Sequence, residues 1–281
     1  MKTNLMTVVA SLTFLVSAAC SAPPTEGAES TSEGATSASS GEASNAIESA
    51  AGAPYVLVER SAFGYVLTSL NSGATSHVTA LDLSAAGAQA SAITSALATP
   101  GALAARGTIR DGDTLVVSDL YRALPRTKSA EPAPFYRAHV SRSGVDSATE
   151  VNVGKIRAFH ALDVSGAADR FVDQPWLSAR VLDGAALVSG TIASGVLHAN
   201  AVFVRVPEIV TCLKPIEACG GGTLPTYERD ANRCLVPSGC VHPAMCPMYI
   251  PACEPGYLRT SWPGPHGCSA FACDPIFDPA P

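Results

Sequence analysis

The stretch ALDLS at residues 80–84 recurs as ALDVS at residues 161–165, which indicates that the middle of the chain is duplicated. Further identical residues superimpose at the same shift of 81 positions: Tyr55 on Tyr136, Asn71 on Asn152 and Gly73 on Gly154. The tripeptide GTI recurs two positions out of that register, at residues 107–109 and 190–192. One unit in two copies, at residues 54–125 and 134–208, explains these matches, although two copies are too few for a solenoid.

The predicted unit has the element order β-β-β-α-β-β. In the first copy, short runs of β-branched and aromatic residues predict strands at 55–58, 65–70, 78–83, 104–109 and 115–121. Ser84 is a suitable N-cap for a helix over residues 85–98, and Pro175 limits the matching helix of the second copy to residues 167–173. We therefore expect an α+β fold in which the two units share a mostly antiparallel sheet and one core.

The beginning of the chain predicts export and attachment to a membrane. In residues 1–19, Lys2 precedes an apolar run that ends in small residues, which resembles a lipoprotein signal peptide cleaved before Cys20. The Cys20 thiol would then carry the lipid, and removing this cysteine from the count leaves an even eight. Residues 20–53 would form the lipidated cysteine and a Ser/Ala/Gly/Glu-rich tether too poor in apolar residues to fold. The small residues also suit ordinary signal peptidase, so secretion is the alternative.

The expected location is the cell envelope, and Ser21 after the cysteine resembles the signal for passage to an outer membrane. The expected partners are the membrane, through the lipid anchor, and a protein of unknown identity. Nucleic acid is not expected, because residues 54–281 carry 17 basic and 19 acidic groups. The connection between the copies is locally basic and could receive an acidic ligand or lipid head groups, although such runs are usually only solvated; its charged residues are Arg122, Arg126, Lys128, Arg137 and Arg142, opposed by Glu131.

The remaining eight cysteines form two sets of four with similar spacing: Cys212, Cys219, Cys234 and Cys240, then Cys246, Cys253, Cys268 and Cys273. Each set spans too few residues to build a core, so we expect two disulfide-stapled modules within residues 209–281. Three pairings are open in each module. Zinc held by thiolates with His242 or His266 is the rival interpretation. The absence of a Cys-x-x-Cys pair argues against both a metal site and a redox-active pair.

Four short motifs of the middle domain resemble an uncharacterised family of exported bacterial lipoproteins: YVLV at 55–58, LVVS at 115–118, FYR at 135–137 and LVSG at 187–190. The resemblance implies a class of exported protein and no activity. Members of that family carry cysteines in the middle domain, whereas this chain has none between Cys20 and Cys212.

The tail modules share a Cys-x-x-Gly sequence, at residues 219–222 and 253–256, and resemble antistasin-type disulfide repeats, some of which inhibit serine proteases. The resemblance implies an exposed loop between the second and third cysteines that enters a protease cleft. Arg229 or Arg259 would then be the candidate specificity residue. The alternative is that both arginines are solvated loop residues.

No common catalytic motif occurs: the chain lacks Gly-x-Ser-x-Gly, a phosphate-binding loop and His-Glu-x-x-His. We therefore predict no catalytic residue, no cofactor and no metal. A candidate polar site comprises His139, His160 and Asp163, because the first copy has Val58 and Thr79 where the second has the two histidines. Drift on a surface face is the alternative. The leading hypothesis is a non-enzymatic, lipid-anchored surface protein with a binding or structural role, and the second is a protease inhibitor acting through the tail.

Overall fold

The computed structural model describes residues 52–86, 90–126, 132–140, 146–206, 210–215, 217–243, 245–246 and 248–277. All of them belong to the compact unit Asn45–Pro281. The predicted signal peptide, Cys20 and nearly all of the tether lie outside the described residues, as do Lys128, Glu131 and Arg142. No helix within the described ranges is both long enough and apolar enough to cross a membrane.

Each copy of the duplicated unit contains four strands, a helix and two more strands. The first copy comprises β1 (Tyr55–Ser61), β2 (Gly64–Ser69), β3 (Thr75–Val78), β4 (Ala80–Asp82), α1 (Ala90–Leu97), β5 (Leu103–Arg110) and β6 (Thr114–Ala123). The second comprises β7 (Phe135–His139), β8 (Asp146–Glu150), β9 (Ile156–Phe159), β10 (Ala161–Asp163), α2 (Gln174–Leu182), β11 (Ala186–Ala193) and β12 (Val196–Arg205). The tail adds β13 (Leu224–Arg229), β14 (Leu235–Val241), β15 (Tyr257–Pro263) and β16 (Ser269–Pro275).

The two copies form one twelve-stranded sheet with a pseudo-twofold axis at its centre. Ten strands follow the order β3-β2-β1-β5-β6-β12-β11-β7-β8-β9, and β4 and β10 pair in parallel with β6 and β12. The central strands β6 and β12 pair antiparallel, so the last strand of each copy lies innermost. One apolar cluster packs with α1 in the first copy, a second packs with α2 in the second copy, and a third lies where the copies meet.

The predicted α+β class is wrong, because 49% of the described residues are in strands and only 8% are helical. The single strand predicted at 78–83 is divided into β3 and β4 at Thr79, whose backbone N–H donates to Asp113 O instead of to a neighbouring strand. The helix predicted over 85–98 is shorter: a 3-10 turn at Ser84–Ala86 precedes the eight-residue α1.

The second helix lies beyond the predicted range 167–173. Pro175 does not end it but stands in its first turn, where the missing N–H has no intrahelical partner. Asp173 is the N-cap, and its Oδ1 accepts a hydrogen bond from the backbone N–H of Trp176 at 3.2 Å. Because the cap is the last residue of the predicted range, α2 begins where that range ends and covers Gln174–Leu182.

The strand pairing shows that the superposition of the first strand of each copy, made at a shift of 81 residues, is wrong by one residue. Val56 stands opposite Ser69, and Tyr136 stands opposite Glu150, so Tyr136 is the counterpart of Val56 and not of Tyr55. The aromatic contacts of the two copies agree with this register: Tyr55 with Tyr121 (ring centroids 6.0 Å apart) and Phe135 with Phe203 (5.6 Å). The first strands therefore match at a shift of 80 residues.

Two equivalent asparagines join the copies across the pseudo-twofold axis. Asn71 Nδ2 donates to Phe135 O and to Val151 O, at 2.9 and 2.8 Å, and its Oδ1 accepts from Phe135 N at 2.7 Å. Asn152 makes the reciprocal contacts, with Tyr55 N, Tyr55 O and Leu70 O. Both asparagines have positive φ (66° and 60°), a conformation that asparagine tolerates better than most residues. The turn that contains the asparagine in each copy is thus hydrogen-bonded to the other copy.

The tail contains the four disulfide bonds that the cysteine spacing predicts. In each module the first cysteine pairs with the third and the second with the fourth: Cys212–Cys234, Cys219–Cys240, Cys246–Cys268 and Cys253–Cys273. Each module also contains a two-stranded antiparallel sheet, β13-β14 or β15-β16. Tyr257 and Cys273 of the second module are buried in the cluster around α2, so the tail packs on the second copy.

Candidate functional site

Asp163, a member of the predicted polar site, caps a turn. Its Oδ1 accepts hydrogen bonds from Ser165 N and Ser165 Oγ, at 3.0 and 2.7 Å, and its Oδ2 lies 3.1 Å from His198 Nδ1. The two bonds from Ser165, followed by the bond from His198, lower the pKa of Asp163 to about 2. Asp82 and Ser84 form the same turn in the first copy. This carboxylate therefore has a duplicated structural role.

The two histidines of the predicted site have different surroundings. His139 lies beside Arg137 against Gly184, and burial, followed by the charge of Arg137, lowers the pKa of its imidazole. His160 is exposed and lies against Gly195 in the turn between β11 and β12. His139 lines a cleft that neither His160 nor Asp163 lines. The three residues do not form the shared pocket that the sequence suggested.

A larger cleft, here called the tail cleft, lies between the start of α2 and the strands of the tail. Its volume is about 420 Å³. Its walls carry four aromatic rings and two prolines: Phe171, Pro175, Tyr227, Trp262, Pro265 and Phe271. Three separate parts of the chain supply these residues, and disulfides staple the two tail modules. A concave, mainly apolar surface of this size suits a small molecule or a short peptide segment.

A buried network of charged side chains lies beside the tail cleft. The Arg229 side chain is only 4% exposed, and its Nη2 donates to both carboxylate oxygens of Asp274, at 3.0 and 3.2 Å. Arg229 Nε lies 3.2 Å from Asp173 Oδ2, and the guanidinium stacks 5.0 Å from the centre of the Trp262 ring. Arg233 Nη1 lies 3.5 Å from Asp274 Oδ1. Two arginines and two aspartates thus balance their charges where the tail meets α2.

Asp173, beside the tail cleft, has a buried carboxylate oxygen that lacks a hydrogen-bond donor. Its Oδ2 is buried and, although close to Arg229 Nε, receives no hydrogen bond, because that N–H is directed to Arg233 O at 3.4 Å. Burial raises the pKa of Asp173, against the opposing effects of the Trp176 hydrogen bond and the Arg229 charge. Glu228 also borders the cleft, but it stands between Tyr227 and Arg229 on β13, so strand alternation directs its exposed carboxylate to the opposite face.

The expectation that Arg229 lies in an exposed loop is wrong. Arg229 is the last residue of β13, and its side chain is enclosed by the charge network, so it is not accessible to a protease cleft. Arg259 is exposed, but it lies within β15 and pairs with Cys273 in the strand ladder. The second candidate is therefore a strand residue and not a loop residue.

The described arginines of the basic connection between the copies contact different parts of the protein. Arg122 Nη1 donates to Ser95 Oγ at 2.9 Å, and Arg126 Nη1 donates to Asn200 O at 2.9 Å. Arg137 instead reaches the cleft that His139 lines. These three side chains do not form one basic patch.

Within the described part of the chain, one cluster of potential metal ligands includes two cysteines of the tail. The ligand atoms of Asp169, Cys253 and Cys273 lie within 4.8 Å of one another. Both sulfurs belong to one disulfide, and the Asp169 carboxylate accepts backbone hydrogen bonds from Glu254 at 2.6 Å and Phe171 at 2.7 Å. This cluster therefore joins the second module to the turn before α2.

Comparison with known proteins assigns no activity to these clefts. An alignment of 114 residues is 37% identical to an uncharacterised protein of Dictyostelium discoideum and covers 38% of this chain and 39% of that protein. The chain thus matches well under half the length of this relative. No protein-family model matches the chain, and no solved structure matches it.

Proposed function

We propose that this protein is a non-enzymatic, lipid-anchored protein of the cell envelope that binds a ligand in the tail cleft. The observation that carries the binding role is the cleft itself, where four aromatic rings converge above a charge-balanced buried network. The four disulfides support the exported location, because such bonds form and persist in oxidising compartments.

The lining of the tail cleft favours a ligand with an apolar body and a positively charged or hydrogen-bond-donating group. Aromatic and proline walls bury apolar groups and hold extended proline-rich segments. Aromatic faces also attract cations, so the four rings of the cleft favour a positively charged group on the ligand. A proline-rich peptide that contains an arginine has the required chemistry.

The lipid anchor would hold this cleft at a distance from the membrane. A flexible coil of the length of residues 21–53 would have an end-to-end distance of about 30 Å, and repulsion among its five glutamates would extend it. The membrane is thus one partner of the protein, and the ligand of the tail cleft is the other. An outer membrane is the proposed destination where the cell has one, and secretion is the outcome if Cys20 is not acylated.

Substituting Cys20 tests the anchor. In bacterial cells supplied with labelled palmitate, we expect the wild-type chain to be labelled and its processing to be blocked by globomycin. The Cys20→Ser variant should be unlabelled and should leave the membrane fraction. Unlabelled wild-type protein whose processing is insensitive to globomycin would show ordinary secretion and remove the anchor from the proposal.

Binding of matched peptides tests the tail cleft. We expect a fluorescein-labelled polyproline peptide with one central arginine to bind at least about tenfold more tightly than the same peptide with a central glutamate. Trp262→Ala should weaken binding by about tenfold or more, because it removes one aromatic wall. Glu228→Gln should leave the preference for arginine unchanged, because this carboxylate lies on the opposite face of β13.

Phe63→Ala is the control, because Phe63 is an aromatic residue that is 92% exposed and does not line the cleft. Circular dichroism in the aromatic region establishes that each variant is folded. The binding proposal fails if neither peptide binds saturably to the wild-type protein, or if folded Trp262→Ala binds as the wild type does.

A further inference from the structure

A second cleft, here called the seam cleft, lies where the two copies meet. Its volume is about 350 Å³, and both copies contribute to its lining. Tyr55 and Arg106 come from the first copy, whereas Arg137, His139 and Thr149 come from the second. Basic side chains that are distant in sequence are thus brought to one concave surface.

Arg106 is held in the seam cleft by contacts that leave an excess of positive charge. Its Nε donates to Ala53 O at 3.3 Å, and its guanidinium stacks 5.5 Å from the centre of the Tyr55 ring. Its Nη1 lies 3.7 Å from Asp119 Oδ2, but Arg205 lies equally close to the other oxygen of Asp119. One carboxylate is therefore shared between two guanidinium groups.

Arg137 and His139 lie on the same face of β7, because side chains alternate along a strand. Both pack against Gly184, whose carbonyl accepts a hydrogen bond from Arg137 Nε at 3.1 Å. A Cβ at Gly184 would lie 2.8 Å from Arg137 Nε and 2.9 Å from His139 Cε1, so glycine permits this close packing. Because burial and Arg137 lower the pKa of His139, its imidazole is neutral near pH 7 and can still donate one hydrogen bond.

Glu150 is the acidic residue among those that line the seam cleft, but strand alternation directs its side chain to the opposite face. It stands opposite Tyr136, which is buried in the cluster around α2, whereas Thr149 stands opposite Arg137. The Glu150 charge also contributes, after burial, to the raised pKa of Tyr136. Its carboxylate therefore does not neutralise the arginines in the cleft.

The duplication provides an internal comparison for the basic residues. In the sheet register, Arg137 corresponds to Leu57, His139 to Glu59 and Arg106 to Ser189. The same backbone positions are thus compatible with apolar, acidic or small side chains. Because the fold does not require basic residues at these positions, their combination in one cleft points to a ligand.

We propose that the seam cleft binds an oxyanion group, a phosphate or a carboxylate, between Arg106 and Arg137. Guanidinium groups match the planar or tetrahedral arrangement of such oxygens and donate paired hydrogen bonds to them. The neutral His139 adds a donor at the side of the cleft. This site is separate from the tail cleft and independent of its ligand.

The experiment uses the exported chain with Cys20→Ser, so that acylation does not contribute to membrane binding. Inorganic phosphate is titrated at constant ionic strength, with binding followed by calorimetry. In a second arm, the protein is mixed with vesicles of phosphatidylcholine, with or without phosphatidylglycerol. Saturable phosphate binding identifies a soluble anion as the source, whereas binding only to the anionic vesicles identifies a lipid head group.

Two substitutions copy the counterpart positions, Arg137→Leu and Arg106→Ser, and each should weaken binding by about tenfold or more. Arg60→Gln removes one positive charge from an exposed position outside the cleft and should change affinity less than about twofold. The proposal is overturned if neither arm shows binding, or if binding persists at wild-type strength in both cleft variants.

Discussion

Replacing Asp274 with alanine should lower the free energy of unfolding by about 3 to 5 kcal/mol, because it leaves two buried guanidinium groups without their shared carboxylate. Asp274 is 1% exposed, and the side chains of Arg229 and Arg233 are 4% and 3% exposed. The substitution also removes the nearer of two acceptors of the Thr260 hydroxyl, Asp274 Oδ2 at 2.6 Å, and leaves Ala272 O at 3.3 Å. Denaturation in urea with the disulfides intact measures the loss.

Glu228→Gln is the matched control, since it removes an acidic charge from the neighbouring strand β13 at an exposed position. We expect it to change stability by no more than about 0.5 kcal/mol. A loss below about 1 kcal/mol for Asp274→Ala would contradict the buried network and require solvent to reach both arginines. The network also positions Trp262, so a large loss should be accompanied by weaker peptide binding in the tail cleft.

Removing the Cys253–Cys273 disulfide by substituting both cysteines with alanine should cost about 4 to 5 kcal/mol. Closure of a loop of this length contributes about 3 kcal/mol through the entropy of the unfolded chain. The remainder arises because Cys273 is fully buried in the apolar cluster around α2, where the lost sulfur leaves a cavity. Urea denaturation of the double variant measures the sum.

Removing the Cys246–Cys268 disulfide in the same way distinguishes the entropic contribution from the contribution of core packing. Its sequence separation is 22 residues, compared with 20 for Cys253–Cys273, so the entropic term is almost the same. Cys246 is exposed, and its removal leaves no cavity in the core. We therefore expect a loss of about 3 kcal/mol for this pair. Equal losses for the two pairs would show that packing of Cys273 contributes nothing.

The duplication and the disulfide modules could be predicted because both are repeated patterns of residue type. ALDLS and ALDVS lie 81 residues apart, and the neighbouring strands match within two residues of that shift. Eight cysteines in a tail too small for a core have few other uses. The helices could not be predicted equally well. Propensity favoured a long first helix, whereas α1 has only eight residues, and the second helix begins after the cap at Asp173 instead of ending there.

The candidate clefts could not be predicted from the sequence, for a different reason. The aromatic content of 6% predicts no aromatic site, yet folding gathers Trp262 and Phe271 from the tail beside Phe171 from the turn before α2. Arg106 and Arg137 likewise belong to different copies and meet only in the seam cleft. Local sequence patterns do not predict which distant segments of the chain will lie together.

The sequence by itself determined that this chain has a duplicated middle and four disulfides, because repeated motifs and cysteine spacing are local properties of the chain. The tertiary structure alone decided which cysteines pair, that the copies meet through β6 and β12, and that Arg229 is buried rather than presented to a protease. These outcomes depend on which apolar faces and charges can be buried together, and that is settled only when distant segments pack.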